Sequence, residues 1–133
     1  MKVVIDTNVF VSGIFWKGQS NKVLNLWKEG KITPVVSTDI LSEFTKVMSD
    51  FKIQLPEDMI KEWVNLILRN SILVEPKEKL AVVKDDPKDD MFIEAAVTGN
   101  VKYIISQNKH LLKLKSFKGI KIVRPEEFNK LFL

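Results

Sequence analysis

Short runs of β-branched residues alternate along this chain with segments whose apolar side chains recur every three or four positions. Val3-Val4-Ile5, ended by Asp6, reads as a buried strand. Residues from about Thr7 to Lys28 read as helical, broken near Gly18, with Val23, Leu24 and Trp27 at helical spacing and Gly30 as the stop. Thr33 to Ser37 is a second strand. The helix after it is entered by Ser37 or Thr38, with Asp39 in its first turn. It carries Ile40, Leu41, Phe44, Val47, Met48 and Phe51 on one stripe. Pro56 to Arg69 repeats that pattern through Met59, Ile60, Trp63 and Ile67, and Ser71 to Glu75 is a third strand.

A polar connection over 76–89 leads to a helix started by Pro87 and closed by Gly99-Asn100. Val101 to Ser106 is a fourth strand, Asn108 to Leu114 a short helix, and Ile120 to Val123 a fifth strand. Pro125 opens a last helix that ends near Phe132. Strands alternating with helices predict an α/β fold, with a parallel sheet of four to five strands covered on both faces. Nothing divides the 133 residues, so a single domain is expected.

In such a sheet, ligands gather outside the carboxyl ends of the strands, near a switch in strand order. The first strand ends in Asp6-Thr7-Asn8, the second in Ser37-Thr38-Asp39 with Glu43 one turn on, and the fourth in Ser106-Gln107-Asn108. The helix before the fourth strand opens with Asp85-Asp86-Pro87-Lys88-Asp89-Asp90. Carboxylates, hydroxyls and amides thus collect at one end of the expected sheet. Clustered carboxylates repel one another unless a cation neutralises them, and oxygen ligands suit Mg²⁺ or Mn²⁺.

Each acid also has a plainer reading. Asp6 is a natural cap for the next helix. Glu43, taken alone, is a solvated helical charge with Lys46 three residues on. Asp86 before Pro87 reads as an N-cap, and Asp89 as its capping-box partner. Asp90 falls beside Ile93 and Val97 on the margin of the inward face, where a carboxylate needs a reason, and a metal is one. Glu94, a turn further, reads as half of a surface ion pair. His110, the one histidine, receives no catalytic role. Trp16, Trp27 and Trp63 read as core or interface rather than base-stacking platforms.

Composition changes the picture little. With 21 Lys+Arg against 17 Asp+Glu the formal charge is +4, a modest bias toward polyanions. The series Lys113, Lys115, Lys118 and Lys121 is either a phosphate-contacting face or an ordinary solvated one. The absence of cysteine removes disulfides, thiolate metal sites and Cys nucleophiles, and fits a cytoplasmic address. No apolar run approaches the roughly 18 residues that a membrane span needs.

Four segments in this order carry a resemblance: Asp6-Thr7-Asn8-Val9-Phe10-Val11-Ser12, Ser37-x-x-Ile40-Leu41-Ser42-Glu43-Phe44, Asp85 through Ala96, and Tyr103 through Leu112. Together they resemble the PIN-domain family, particularly small VapC-like toxin components, over nearly the whole chain. The resemblance implies a three-layer α/β/α fold and a Mg²⁺- or Mn²⁺-dependent endoribonuclease of cytoplasmic toxin–antitoxin type. It implies RNA as substrate, a cognate antitoxin as a possible partner and homodimerisation. By motif position Asp6, Glu43 and Asp90 resemble the catalytic, metal-binding acids, and Thr7, Asn8, Ser37 and Ser106 the residues that orient them. Asn108 stands where relatives often carry a fourth acid; its amide oxygen is a neutral metal ligand in that reading. A non-catalytic RNA- or protein-binding module of the same fold is the alternative. A haloacid-dehalogenase-like phosphatase ranks lower, because its motif needs an acid where this chain has Asn8.

Overall fold

A computed structural model describes residues 1–52 and 54–133. The chain runs β1 (Lys2–Ile5), α1 (Thr7–Phe15), α2 (Gln19–Lys28), β2 (Thr33–Val36), α3 (Thr38–Ser49), α4 (Glu57–Arg69) and β3 (Ile72–Leu73). After a 3₁₀ turn at Pro87–Asp89 come α5 (Asp90–Gly99), β4 (Tyr103–Ile105), α6 (Lys109–Leu112), β5 (Ser116–Phe117), β6 (Ile120–Val123) and α7 (Pro125–Asn129). The strands form one sheet in the order β3-β2-β1-β4-β6-β5.

All neighbours pair in parallel except β5 with β6. The five expected strands therefore hold as the parallel part. The sixth, β5, is two residues turned back through Lys118 and Gly119. Both of those have positive φ, at 48° and 81°, as a tight hairpin turn requires. The first helical stretch resolves into α1 and α2. Its break at Gly18 follows from an extended residue there that no helix accommodates.

Val3, Val4 and Ile5 are consecutive and all buried, so both faces of the central strand are covered. Helix α5 packs on β1, β2, β4 and α3 through Phe92, Ile93, Ala95 and Ala96. At its end, Gly99 lies so close to β2 that an added Cβ would stand 2.6 Å from Val35 Cγ1. Among the described residues no helix is long and apolar enough to cross a membrane.

Strand order reverses at β1: the chain moves to β2 on one side and later returns to β4 on the other. Asp6 and Ser106, the residues after β1 and β4, face each other across that switch point. The backbone is continuous there too, with Asp6 N–H donating to the Ile105 carbonyl at 2.9 Å.

Candidate active site

Asp6 is buried and tied to both flanking elements. Its Oδ2 accepts the Ser106 hydroxyl at 2.6 Å, and its Oδ1 faces the Asn8 N–H at 3.4 Å as the cap of α1. The capping role and the strand-end role expected for this residue therefore coexist. Burial pushes its carboxyl above the ordinary aspartate range. Bonds from Ser106 and the Asn8 N–H pull it back, and the Glu43 charge raises it further.

Glu43 reaches this point from α3. The Thr7 hydroxyl donates to Glu43 Oε2 at 2.9 Å, linking the starts of α1 and α3. Ser37 acts one step back. Its Oγ accepts the Ile40 N–H at 3.2 Å, capping the helix that carries Glu43. Asn8 is exposed and contributes its backbone N–H rather than its side chain.

Asp90, expected as the third acid, is held by the backbone. Asp90 Oδ1 accepts the Val82 and Val83 N–H groups at 2.9 and 2.7 Å, and Glu94 Oε2 accepts the Leu80 N–H at 2.8 Å. These two residues, one turn apart on α5, pin the polar connection onto the helix. The inward carboxylate at position 90 is thus explained by backbone donors, and Glu94 is buried rather than paired at the surface. Asp89 stands with Asp6 and Glu43 instead. It is buried, and its carboxyl is raised from 3.8 to about 7, by burial first, then by the charge and hydrogen bond of Asp86, then by the Asp6 and Glu43 charges. No capping box forms. Asp86 makes no side-chain cap bond, because Pro87–Asp89 is a 3₁₀ turn and the α-helix begins only at Asp90. That turn frees the Asp89 carboxylate for the site.

Asn108 also departs from its expected role. Its Oδ1 accepts the His110 N–H at 2.8 Å and caps α6, while its Nδ2 donates to Asp89 Oδ2 at 2.8 Å. Its amide thus bonds an acid through nitrogen and a backbone N–H through oxygen. Ser106 accepts the Asn108 N–H at 2.9 Å while donating to Asp6, so a chain of bonds runs from Asp6 through Ser106 and Asn108 to Asp89. His110 lies outside it, with Nδ1 3.9 Å from Asp85.

Among the described residues, no Lys or Arg forms an ion pair with Asp6, Glu43 or Asp89. Nor are any three acids already drawn together at ligating distance. Burial raises the proton affinity of Asp6 and of Asp89, and the Glu43 charge raises both further; carboxylate oxygens so placed are ligands that hard divalent cations suit. Glu43 also borders an open cleft of about 510 Å³, together with Asp90, Glu94, Lys46 and Lys88.

The PIN-domain family model matches residues 2–110. The chain is 32% identical to the uncharacterized protein MJ1680 of Methanocaldococcus jannaschii, over 96% of this chain and 89% of that protein. Among solved structures it is similar to VapBC2 from Rickettsia felis bound to a DNA fragment from their promoter. That likeness has a TM-score of 0.60 at 16% identity and covers 92% of this chain and 97% of the other, a likeness of fold.

Proposed function

Since this chain belongs to the PIN-domain family, we propose that it is a metal-dependent endoribonuclease, with Asp6, Glu43 and Asp89 as the acids that hold Mg²⁺ or Mn²⁺. The observation that carries this reading is the bonded chain from Asp6 through Ser106 and Asn108 to Asp89 at the switch point of the sheet, two buried acids that both feel the Glu43 charge and have no basic partner. A bound divalent cation would supply the Lewis acidity that activates water and offsets charge on a phosphodiester.

The chain's own residues supply order. Ser106 holds Asp6, Thr7 holds Glu43, and Asn108 holds Asp89, each through one hydrogen bond to a carboxylate oxygen. In the free protein Asp89 is the acid that takes up a proton near neutral pH, at about 7. A divalent cation held by Asp6, Glu43 and Asp89 would compete with that proton. The net charge of +4 favours a polyanionic substrate.

The toxin role, the cognate antitoxin, the homodimer and the cytoplasmic address are parts of the same proposal, supported by the family and by the VapBC2 fold likeness. The non-catalytic alternative draws support from Asn108, which adds a donor where an acid would add charge. The deciding experiment is incubation of single-stranded RNA with the protein and Mn²⁺, with EDTA, Asp6→Asn and Asp89→Asn as controls. The proposal expects cleavage by the wild type alone. Cleavage that persists in both variants, or is absent from the wild type, rejects it.

A further inference from the structure

We infer that the aromatic groove lined by Trp16 and Phe51 beside Glu43 is a subsite that stacks an unpaired RNA base next to the phosphate to be cut. Trp16 lies outside the core: it is 57% exposed at the end of α1, whereas Trp27 is 7% exposed. Phe15 and Phe51 stack with ring centroids 4.8 Å apart and planes at 18°. Trp16 leans against both, at 6.0 Å from Phe15 and 5.8 Å from Phe51. The two phenylalanines therefore fix a tryptophan that leaves much of its surface to solvent. A rigid, exposed aromatic platform is what sequence-tolerant base stacking uses.

Position and charge select the occupant. The groove, about 700 Å³, is lined by Trp16, Val47 and Phe51 together with Lys46, Lys52 and Lys88, and it reaches Glu43. Asp50 is its other acid. Among the described residues none of these three lysines is in an ion pair. Lys46 and Lys88 also border the neighbouring cleft, so cationic side chains line both openings on either side of Glu43. Aromatic faces with lysines alongside match a base on its phosphate backbone. A base paired within a duplex keeps its faces stacked on its neighbours, so the groove selects single-stranded RNA.

This inference rests on the ribonuclease reading for its substrate, and its test does not depend on catalysis. The full chain in EDTA is titrated against fluorescently labelled oligoadenylate and an abasic ribose-phosphate oligomer of equal length. The wild type should bind the base-bearing strand about tenfold more tightly than the abasic one. Trp16→Ala should lose that preference, Trp16→Phe should keep most of it, and tryptophan emission should fall on binding in the wild type only. No binding by the wild type, or equal affinity of wild type and Trp16→Ala for oligoadenylate, overturns the subsite; the second result would leave the groove to a protein segment. If Trp16-dependent binding holds while Mn²⁺ brings no cleavage, the subsite stands and the nuclease reading falls. If RNA is cut while Trp16→Ala binds as the wild type does, the nuclease reading stands and the subsite falls.

Discussion

Asp89 and Asp90 stand side by side with different partners: the Asn108 amide donates to Asp89, and the backbone N–H groups of Val82 and Val83 donate to Asp90. Asp6, Thr7 and Ser106 stand at strand ends or at a helix start, the rim where ligands collect, whereas Glu43 lies in the middle of α3 and, taken alone, reads as a solvated helical charge. Asp89 does not stand out in the sequence, because Pro87 reads as the first residue of an α-helix, which makes Asp89 a cap and leaves Asp90 on the inward margin. The 3₁₀ turn at 87–89 alters the rotation per residue and exchanges the two roles. Asp89→Asn is accordingly expected to lower RNA cleavage by about 100-fold or more with the fold retained. Asp90→Ala should instead cost about 2 kcal/mol of stability, since one buried and one part-buried N–H group lose their carboxylate acceptor. Urea denaturation of both variants beside a cleavage assay checks the pair.

The Asp89 carboxyl also sets a pH dependence. Its folded value of about 7 lies above the ordinary 3.8, so the native state holds a proton that the unfolded chain releases. That contribution to stability is lost as pH rises from about 4 through 7, and burial of Asp6 acts in the same direction. Above pH 7, Mg²⁺ or Mn²⁺ should restore what deprotonation removes. Thermal unfolding at pH 5 and pH 8, with and without the cation, should show the larger cation-induced rise at pH 8. An equal rise at both would contradict this assignment of the proton.

Among the elements, helix α5 ties the polar connection and β2 to the site. Its N-terminal end is preceded by Asp89, its Asp90 and Glu94 carboxylates pin residues 80–83, and its C-terminal end presses Gly99 against Val35 of β2. Gly99→Ala should therefore destabilise by about 1–3 kcal/mol through overpacking. A melting temperature equal to that of the wild type would show that α5 has room to move. The parallel strands were readable because Val3-Val4-Ile5 and Tyr103-Ile104-Ile105 are apolar and β-branched or aromatic. Strand β5 was not, because Ser116-Phe117 carries no periodic signal and exists through its hairpin turn and pairing with β6. The polar connection looked like loop in sequence and is irregular in structure. Its anchoring to α5 could not be read, since backbone N–H groups leave no mark on side-chain pattern.

At the scale of the molecule, a basic protein carries an acid cluster at one end of its sheet, with lysines beside it. RNA affinity should therefore fall with rising salt, and Lys46→Ala with Lys88→Ala should shallow that slope, read from anisotropy titrations over a salt series. A slope unchanged by the two substitutions would place the phosphate path elsewhere. The most direct test of the central claim is calorimetric titration of Mn²⁺ into the wild type, Asp6→Asn, Asp89→Asn and Asp90→Asn. The account predicts uptake by the wild type and Asp90→Asn, with uptake lost in the other two. Uptake that survives Asp89→Asn and disappears with Asp90→Asn would contradict it.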